Sequence, residues 1–265
     1  ISEQNLEKFL LKKNYKNIAL VYIANPNSPS GKIISKDIIL EIAKNSKRRN
    51  ILFVIDEAYI EYSKNKSLKN LIKKNNNIII IRTYSKFYGI AGLRIGHIMA
   101  NKKIIKAINS IRPPHDISNL SLSILNYFLT KKKDTYIKDI NKSKKFIINF
   151  CRKNKIEIFM TEANFFHIFL EKQIILPIIK YMKKNKILVK SNYLNFSNVS
   201  YLGPKNTIRV SIGSIRQMKL FFNKLKKILI KISWFVLLWL AEKEAKVFPE
   251  KIQKKYLENH FANTL

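Results

Sequence analysis

The segment RTYSKFYGIAGLRIG, residues 82 to 96, concentrates chemically useful side chains in a short stretch. It holds Lys86, the hydroxyls of Thr83 and Ser85, and Arg94, together with three of the chain's six glycines. A lysine that acts as an amine nucleophile needs a lowered pKa or a carbonyl partner. Hydroxyls and an arginine can hold a phosphate, and glycines allow a ligand to approach the backbone closely. The segment therefore combines a candidate nucleophile with a candidate phosphate-binding set.

Two further polar residues follow predicted strands earlier in the chain. Asn25 comes after IALVYIA (18 to 24), and Asp56 comes after ILFVI (51 to 55). Taken singly, each is better explained as a turn or strand-end residue, and only their convergence with the 82 to 96 segment favours chemistry. A carboxylate could keep a pyridinium nitrogen protonated while a lysine bonds to the cofactor and an arginine holds its phosphate. The set describes the protein's side of a pyridoxal phosphate site with Lys86 as the Schiff-base lysine.

The elements that must position these residues alternate along the first 112 residues. Strands are predicted over 18 to 24, 51 to 55, 78 to 81 and 94 to 100, and a helix capped by Ser35 over 35 to 50. Strands that alternate with helices are typical of an α/β fold whose mostly parallel sheet is covered on both faces. Ligands of such sheets gather at the carboxyl ends of the strands, where the candidate residues lie.

The pattern changes from about residue 113. Helices are predicted over 118 to 131, 135 to 153, 173 to 184 and 215 to 230, and strands over 156 to 159, 164 to 170, 187 to 189 and 207 to 213. Two helices followed by a short sheet indicate a second, smaller α+β domain. We therefore expect a large domain over 1–112, a small domain over 113–231 and a tail of unrecognised pattern over 232–265.

The composition is that of a folded protein with an unusual charge. Hydrophobic residues make up 46% of the 265 positions, and the formal net charge is +34. Only eight of the 51 basic residues are arginines, so lysines carry the excess, in pairs and triplets along the whole chain. A nucleic-acid footprint would concentrate on one face and favour arginine and aromatic residues. We expect weak binding of polyanions at most and no specific nucleic-acid site.

Cysteine and histidine content narrows the class of protein further. Cys151 is the single cysteine, which excludes an intrachain disulfide and suits a reducing compartment. The four histidines show no ligand spacing, so no metal site is predicted. The longest apolar run, 234 to 240, is too short to span a bilayer, and no signal peptide is visible. We expect a cytoplasmic protein without a membrane partner.

Six motifs, taken in order, resemble those of the fold-type-I aminotransferases. They are NPNSPSG (25 to 31), DEAYIEYS (56 to 63), RTYSKFYGIAGLRIG (82 to 96), RPP (112 to 114), ANF (163 to 165) and IRVSIG (208 to 213). One such motif would be weak, whereas the ordered set is specific. The resemblance implies a homodimeric enzyme with a large pyridoxal-phosphate-binding domain and a smaller C-terminal domain. Its motifs are most similar to those of members that transfer an amino group between L-histidinol phosphate and 2-oxoglutarate in histidine biosynthesis.

The resemblance implies a role for each matching residue at the cofactor. Lys86 would bond to the cofactor and move the proton between substrate and cofactor, and Asp56 would pair with the pyridinium nitrogen. Asn25 and Tyr59 would hydrogen-bond the phenolic oxygen of the cofactor. The phosphate would be held by hydroxyls and a guanidinium, those of Thr83, Ser85 and Arg94.

Two basic residues of the second half are implied in binding the substrates, an amino acid and a phosphorylated amino alcohol. Arg209 would grip the anionic end of either substrate, since a guanidinium fork suits both carboxylate and phosphate. Lys190 stands near the expected substrate phosphate, where related sequences usually have an arginine. It keeps the charge but loses the bidentate geometry.

Two departures from the family pattern leave alternatives open. The family has a substantial portion before the NPNSPSG motif that is not present in this sequence, so we expect an N-terminally truncated member. The tail from residue 232 has no recognised counterpart. Alternative functions are another fold-type-I enzyme, such as an aromatic aminotransferase or a decarboxylase of a phosphorylated amino acid, or an inactive basic remnant that binds polyanions.

Overall fold

The structure, a computed structural model, describes residues 18–114, 116–130, 134–191 and 206–245. In these residues it has two four-stranded sheets. The first contains β1 (Leu20–Ala24), β2 (Leu52–Asp56), β3 (Ile78–Thr83) and β4 (Gly96–Ala100). The second contains β5 (Ile158–Met160), β6 (Phe165–Phe169), β7 (Lys190–Ser191) and β8 (Thr207–Ser211). The helices are α1 (Lys36–Arg48), α2 (Lys102–Ile111), α3 (Asn119–Thr130), α4 (Asp134–Lys153), α5 (Lys172–Lys184) and α6 (Ile215–Ala245).

The first sheet confirms the predicted α/β fold. Its strands lie in the order β1-β2-β3-β4, with β1, β2 and β3 parallel and β4 antiparallel to β3. The central strands are runs of β-branched and aromatic residues, and Phe53, Ile55 and Ile80 are fully buried. Helix α1 covers this core with Ile39 and Ile42. As predicted, Ser35 caps α1 by accepting a hydrogen bond from a backbone N–H of the first turn.

The second sheet is antiparallel throughout, in the order β5-β6-β8-β7. Its buried face packs against α4, α5 and α6, which contribute Ile147, Met182 and Phe222, all with no exposed surface. The same core also contains Tyr62 and Phe87 from the first part of the chain. The two halves are therefore joined by apolar packing, and the division at residue 112 stays a prediction.

Four elements differ from the prediction. Thr83 lies within β3, because the strand continues to pair with β4 beyond residue 81. The predicted strand at 187 to 189 is wrong, since only Lys190–Ser191 pairs with β8. Helix α2 was missed; Asn101 caps it, accepting a hydrogen bond from the backbone N–H of Lys103. Helix α6 continues from 230 into the predicted tail as far as Ala245, through a sequence free of glycine and proline.

The helices of the described residues were compared in length and apolar character with what a bilayer span requires. None of the helices there combines the length and the apolar character that a bilayer span requires. The part of the tail from 246 to 265 lies outside the described residues.

A buried ion pair connects the ends of β2 and β3 beneath the predicted site. The Glu57 side chain has no exposed surface and accepts hydrogen bonds from Arg82 Nε at 3.0 Å and Ser67 Oγ at 2.7 Å. Its other oxygen accepts from the backbone N–H of Leu68 at 2.7 Å. A buried charge with this many donors is well compensated, but it becomes costly when its partner is lost. The pair therefore fixes where Asp56 and Thr83, the neighbouring residues, present their side chains.

We predict that Glu57→Gln lowers the free energy of unfolding by about 3 kcal/mol, because it leaves the Arg82 guanidinium without its buried counter-charge. Glu61→Gln is the matched control. Glu61 contacts the same arginine at 3.5 Å from a partly exposed position, and its loss should cost under about 1 kcal/mol. Denaturant unfolding of both variants measures the difference. Equal effects of the two substitutions would contradict the assignment of the buried pair.

Candidate functional site

The carboxyl ends of the parallel strands bring three of the predicted residues to one edge. The register aligns Ala24, the last residue of β1, with Asp56, the last residue of β2. The backbone N–H of Asn25 donates to the carbonyl of Asp56 at 2.8 Å. Asp56 also pairs with Ile81, which places Thr83 just beyond it on β3. The sheet topology thus supplies the convergence that the sequence pattern predicted.

The Asp56 carboxylate is held in place by two donors. Its Oδ1 accepts a hydrogen bond from the backbone N–H of Ala58 at 2.8 Å, and its Oδ2 accepts one from the hydroxyl of Tyr22. Partial burial and this hydrogen bond raise the pKa of Tyr22 to about 12. A carboxylate offers about four acceptor positions, so capacity for a further donor remains. Asp56 is thus oriented and still able to receive an N–H from a ligand.

Asn25 is buried and hydrogen-bonded within the chain, which the sequence did not predict. The residue is buried, and its Oδ1 accepts a hydrogen bond from the backbone N–H of Ile34 at 2.8 Å. This bond ties the end of β1 to the chain segment that enters α1. The amide nitrogen of Asn25 remains available to a ligand as a donor.

A line of cations and aromatic rings runs from Lys86 to the second sheet. The Lys86 ammonium lies 5.6 Å from the centroid of the Tyr59 ring. Tyr59 makes an edge-to-face contact with Phe165 at 5.8 Å between centroids. The guanidinium of Arg209 lies 4.9 Å from the centroid of the same Phe165 ring. Cation–π and aromatic contacts of this kind are favourable. They place the predicted nucleophile and the predicted substrate-binding arginine on either side of one aromatic pair.

The predicted phosphate-binding set lies at the end of β3 and in the loop that follows. Thr83 Oγ1 accepts a hydrogen bond from the backbone N–H of Ser85 at 3.0 Å, which leaves its own O–H as a donor. Arg94 is exposed and makes no salt bridge within the described chain. Its backbone is left-handed, with φ 55° and ψ 37°. Such a conformation costs a non-glycine residue about 1 kcal/mol or more and is concentrated at functional sites.

On the second sheet, Arg209 and Lys190 form part of one cross-strand row. Lys190 of β7 is the register partner of Arg209 of β8, and Arg209 is the partner of His167 of β6. Residues directly opposite one another in a sheet share a face. Two cations placed directly opposite each other repel, so an anion between them would relieve the repulsion. The structure therefore brings together the two residues predicted to bind the substrate's anionic groups.

The turn at residues 25–31 is docked against the second sheet. The backbone N–H of Glu162 donates to the carbonyl of Gly31 at 3.1 Å, and His167 Nε2 lies 2.9 Å from the carbonyl of Pro29. Arg209 Nη1 donates to Ser28 Oγ at 3.4 Å. A Cβ atom on Gly31 would come within 2.2 Å of Thr161 Cβ, and its φ is +71°. Gly31 is thus required by both its backbone conformation and the closeness of the second sheet.

Three residues that lie at the candidate site in the structure were not predicted from the sequence. Tyr22 lies on β1 and Ser28 in the turn, and neither stands out by type or spacing. His167 carried a signal, because a histidine inside the apolar strand NFFHIFL must satisfy two ring nitrogens when buried. The partners themselves, at Pro29 and Thr207, could not be identified without the fold.

We predict that Gly31→Ala lowers the free energy of unfolding by about 2 kcal/mol, because the added methyl meets Thr161 and the residue must keep a positive φ. Gly92→Ala is the matched control. Nothing lies within 4 Å of a Cβ at that glycine, so the change should stay within about 0.5 kcal/mol. Denaturant unfolding measures both variants, and a Gly31→Ala variant as stable as the Gly92→Ala variant would show that the turn is not held against the second sheet.

Known proteins are similar to this chain over the region that contains the candidate site. The family model for aminotransferase class I and II matches residues 3–225. The histidinol-phosphate aminotransferase of Buchnera aphidicola subsp. Cinara cedri is 36% identical over 225 residues, which cover 81% of this chain and 60% of the relative. The solved histidinol-phosphate aminotransferase from Clostridium acetobutylicum has a TM-score of 0.70 at 25% identity, with 86% of this chain and 67% of that chain covered. The enzyme of that name from Sinorhizobium meliloti, in complex with pyridoxal-5'-phosphate, has a TM-score of 0.65 at 23% identity, with 81% and 58% covered.

The match covers most of this chain but only part of each relative. The chain spans about three fifths of the length of the curated relatives. The family model nevertheless covers both sheets, the docked turn and every residue of the candidate site. The chain therefore belongs to the aminotransferase class I and II family.

Proposed function

We propose that the chain carries the pyridoxal-phosphate site of an aminotransferase that exchanges an amino group between L-histidinol phosphate and 2-oxoglutarate. The observation that carries the proposal is the geometry of the sheet edge. Asp56 and Thr83 lie on adjacent strand ends, and the ammonium of Lys86 lies over Tyr59 between this edge and Arg209. The names of the relatives, all at 30% identity or above, support the choice of substrate.

The residues present fit pyridoxal phosphate. The Asp56 carboxylate keeps acceptor capacity for a ring N–H after its bonds to Ala58 and Tyr22. Thr83, Ser85 and Arg94 offer hydroxyl and guanidinium donors for a phosphate, and Arg94 keeps a left-handed backbone in doing so. Asn25 and Tyr59 are proposed to contact the phenolic oxygen. Bound in this way, the cofactor would supply the electron sink that amino-group transfer needs.

Lys86 is proposed to perform the proton transfers. Its side chain is exposed rather than packed in the core, so the amine is accessible to a ligand. The Tyr59 ring beneath the ammonium restricts its position without neutralising the charge. Lys86 would take the proton from the substrate carbon and pass it to the cofactor in one half-reaction. In the other half-reaction it would move a proton in the opposite direction.

Arg209 and Lys190 are proposed to bind the anionic ends of the substrates. Their register pairing places two positive charges on one face of the second sheet, and an anion would remove their mutual repulsion. The planar guanidinium fits the carboxylate of an amino acid, and the ammonium adds charge for a phosphate. One pair of cations can thus serve both an amino acid and a phosphorylated amino alcohol.

We also propose a homodimer and a cytoplasmic location. Support for a protein partner comes from α3, where large apolar side chains are exposed: Leu120, Leu122, Tyr127, Phe128 and Leu129. Support for a reducing compartment comes from Cys151, a buried thiol that takes part in no disulfide. Burial raises the pKa of this thiol to about 11, so it serves as a packing residue rather than a nucleophile.

We predict that pyridoxal 5'-phosphate added to the purified chain produces a visible absorption band and that Lys86→Ala abolishes it. Lys106→Ala, at an exposed lysine of α2, is the matched control and should keep the band. Absorption spectroscopy of the three proteins measures the result. A band that survives Lys86→Ala would exclude Lys86 as the bonding residue, and no band in the unaltered chain would contradict the proposed cofactor.

The substrate is tested on the same complex. Addition of L-histidinol phosphate should change the absorption band, and L-phenylalanine at the same concentration should change it far less. A stronger response to phenylalanine would favour an aromatic aminotransferase over the proposed activity.

A further inference from the structure

His167 occupies a central position between the two halves of the molecule. Its side chain has no exposed surface, and both ring nitrogens have partners. Nε2 lies 2.9 Å from the carbonyl oxygen of Pro29, in the docked turn. Nδ1 lies 3.2 Å from the hydroxyl of Thr207, on the neighbouring strand β8. One buried side chain therefore links the turn at 25–31 to the second sheet.

The partners fix the tautomer of His167. A carbonyl oxygen can only accept, so Nε2 must carry the hydrogen and donate it to Pro29. In the neutral ring Nδ1 is then the acceptor for the Thr207 hydroxyl. Burial lowers the pKa of His167 from its ordinary value of 6.5; the bond to Pro29 acts in the opposite direction, and the charge of Arg209 on the next strand again lowers the pKa. The other rings packed against it, Phe159 and Phe165, are uncharged.

His167 contacts Pro29, and the neighbouring residue Ser28 contacts Arg209, the predicted substrate-binding arginine. Pro29 directly follows Ser28, whose hydroxyl accepts a hydrogen bond from Arg209 at 3.4 Å. Arg209 is in turn the register partner of His167. The bond from His167 to Pro29 thus closes a ring of contacts that passes through the turn, the Ser28 hydroxyl and the guanidinium. Loss of this bond would weaken the attachment of the turn, which would then depend on the bonds from Glu162 to Gly31 and from Arg209 to Ser28.

We propose that His167 is a positioning residue, which holds the 25–31 turn on the second sheet and so sets the place of Ser28 relative to the Arg209 guanidinium. The role in substrate binding rests on the proposed function. The docking of the turn does not, and it can be measured without any turnover.

A matched pair of amide substitutions tests the proposal. The side-chain nitrogen of Gln reaches about the place of Nε2, so His167→Gln can still donate to Pro29. Asn is shorter and reaches only the place of Nδ1, so His167→Asn cannot. In hydrogen exchange of the full chain, His167→Asn should speed exchange at the Glu162 amide, which donates to the carbonyl of Gly31, about tenfold, because the docked turn opens more often. His167→Gln should stay within about threefold of the unaltered chain, and core amides such as that of Ile55 should change in neither variant.

Steady-state kinetics distinguishes a positioning role from a purely structural one, because only a positioning role changes KM without changing kcat. His167→Asn should raise the KM for L-glutamate about tenfold with little change in kcat and with the cofactor absorption band retained, and His167→Gln should restore it. Unaltered exchange at the Glu162 amide in His167→Asn, or equal effects of Asn and Gln, would overturn the proposal. If neither the unaltered chain nor any variant turns over substrate, the proposed function fails while hydrogen exchange still decides the docking role.

The unaltered chain provides a test that does not depend on the folding of any variant. Nitrogen-15 NMR of the imidazole should show a protonated Nε2 and an unprotonated Nδ1 at pH 7. A ring with its proton on Nδ1 could not donate to Pro29, and that result would also overturn the proposal.

Discussion

The turn at residues 25–31 is held between the two sheets, and the geometry of the candidate site depends on that attachment. On one side Asn25 fixes the turn to the end of β2 through the carbonyl of Asp56 and to the start of α1 through Ile34. On the other side the carbonyls of Pro29 and Gly31 receive donors from the second sheet. Only a residue without a Cβ fits at position 31. Because the turn is tied at both ends, the distance between Asp56 and Arg209 is set by the fold rather than by a flexible linker.

The acidic and basic side chains of the candidate site differ in whether they have a partner within the chain. Glu57 is paired with Arg82, and Asp56 accepts hydrogen bonds from Tyr22 and Ala58 and keeps capacity for one further donor. Arg209 and Lys190 are placed side by side with no acid opposite them in the described residues. His167, next in the row, is buried, and its burial and the charge of Arg209 lower its pKa, which disfavours a third positive charge beside that pair. In a chain of net charge +34, the specific feature is therefore the pairing of two cations across adjacent strands of the second sheet.

The sequence predicted the parts of the fold that depend on local pattern. The strands that end at Ala24 and Asp56, and the Ser35 cap, follow from apolar runs and capping chemistry, and the structure confirms them. The apolar run at 187 to 189 misled the prediction because Leu188 is 84% exposed and the ladder begins only at Lys190. The end of α6 was misplaced because the helix continues past its amphipathic part.

The candidate site was predictable where strand ends bring residues together, and not where distant segments meet. Asp56 and Thr83 end adjacent strands and Lys86 follows three residues after Thr83, so their sequence positions relative to those strands sufficed. The bond between His167 and Pro29 joins residues 138 positions apart, and that between Arg209 and Ser28 joins residues 181 apart. Contacts of this kind depend on how the second sheet packs against the turn. Residue type and spacing alone carry no record of that packing.

The central claim is that the fold selects one lysine out of 43 for chemistry with a carbonyl cofactor. Its most direct test is to incubate the chain with pyridoxal 5'-phosphate, reduce the mixture with borohydride, and locate the labelled lysine by peptide mass spectrometry. The account predicts that at equimolar cofactor the label is confined to Lys86. A label spread over exposed lysines, or concentrated on another one, would contradict it.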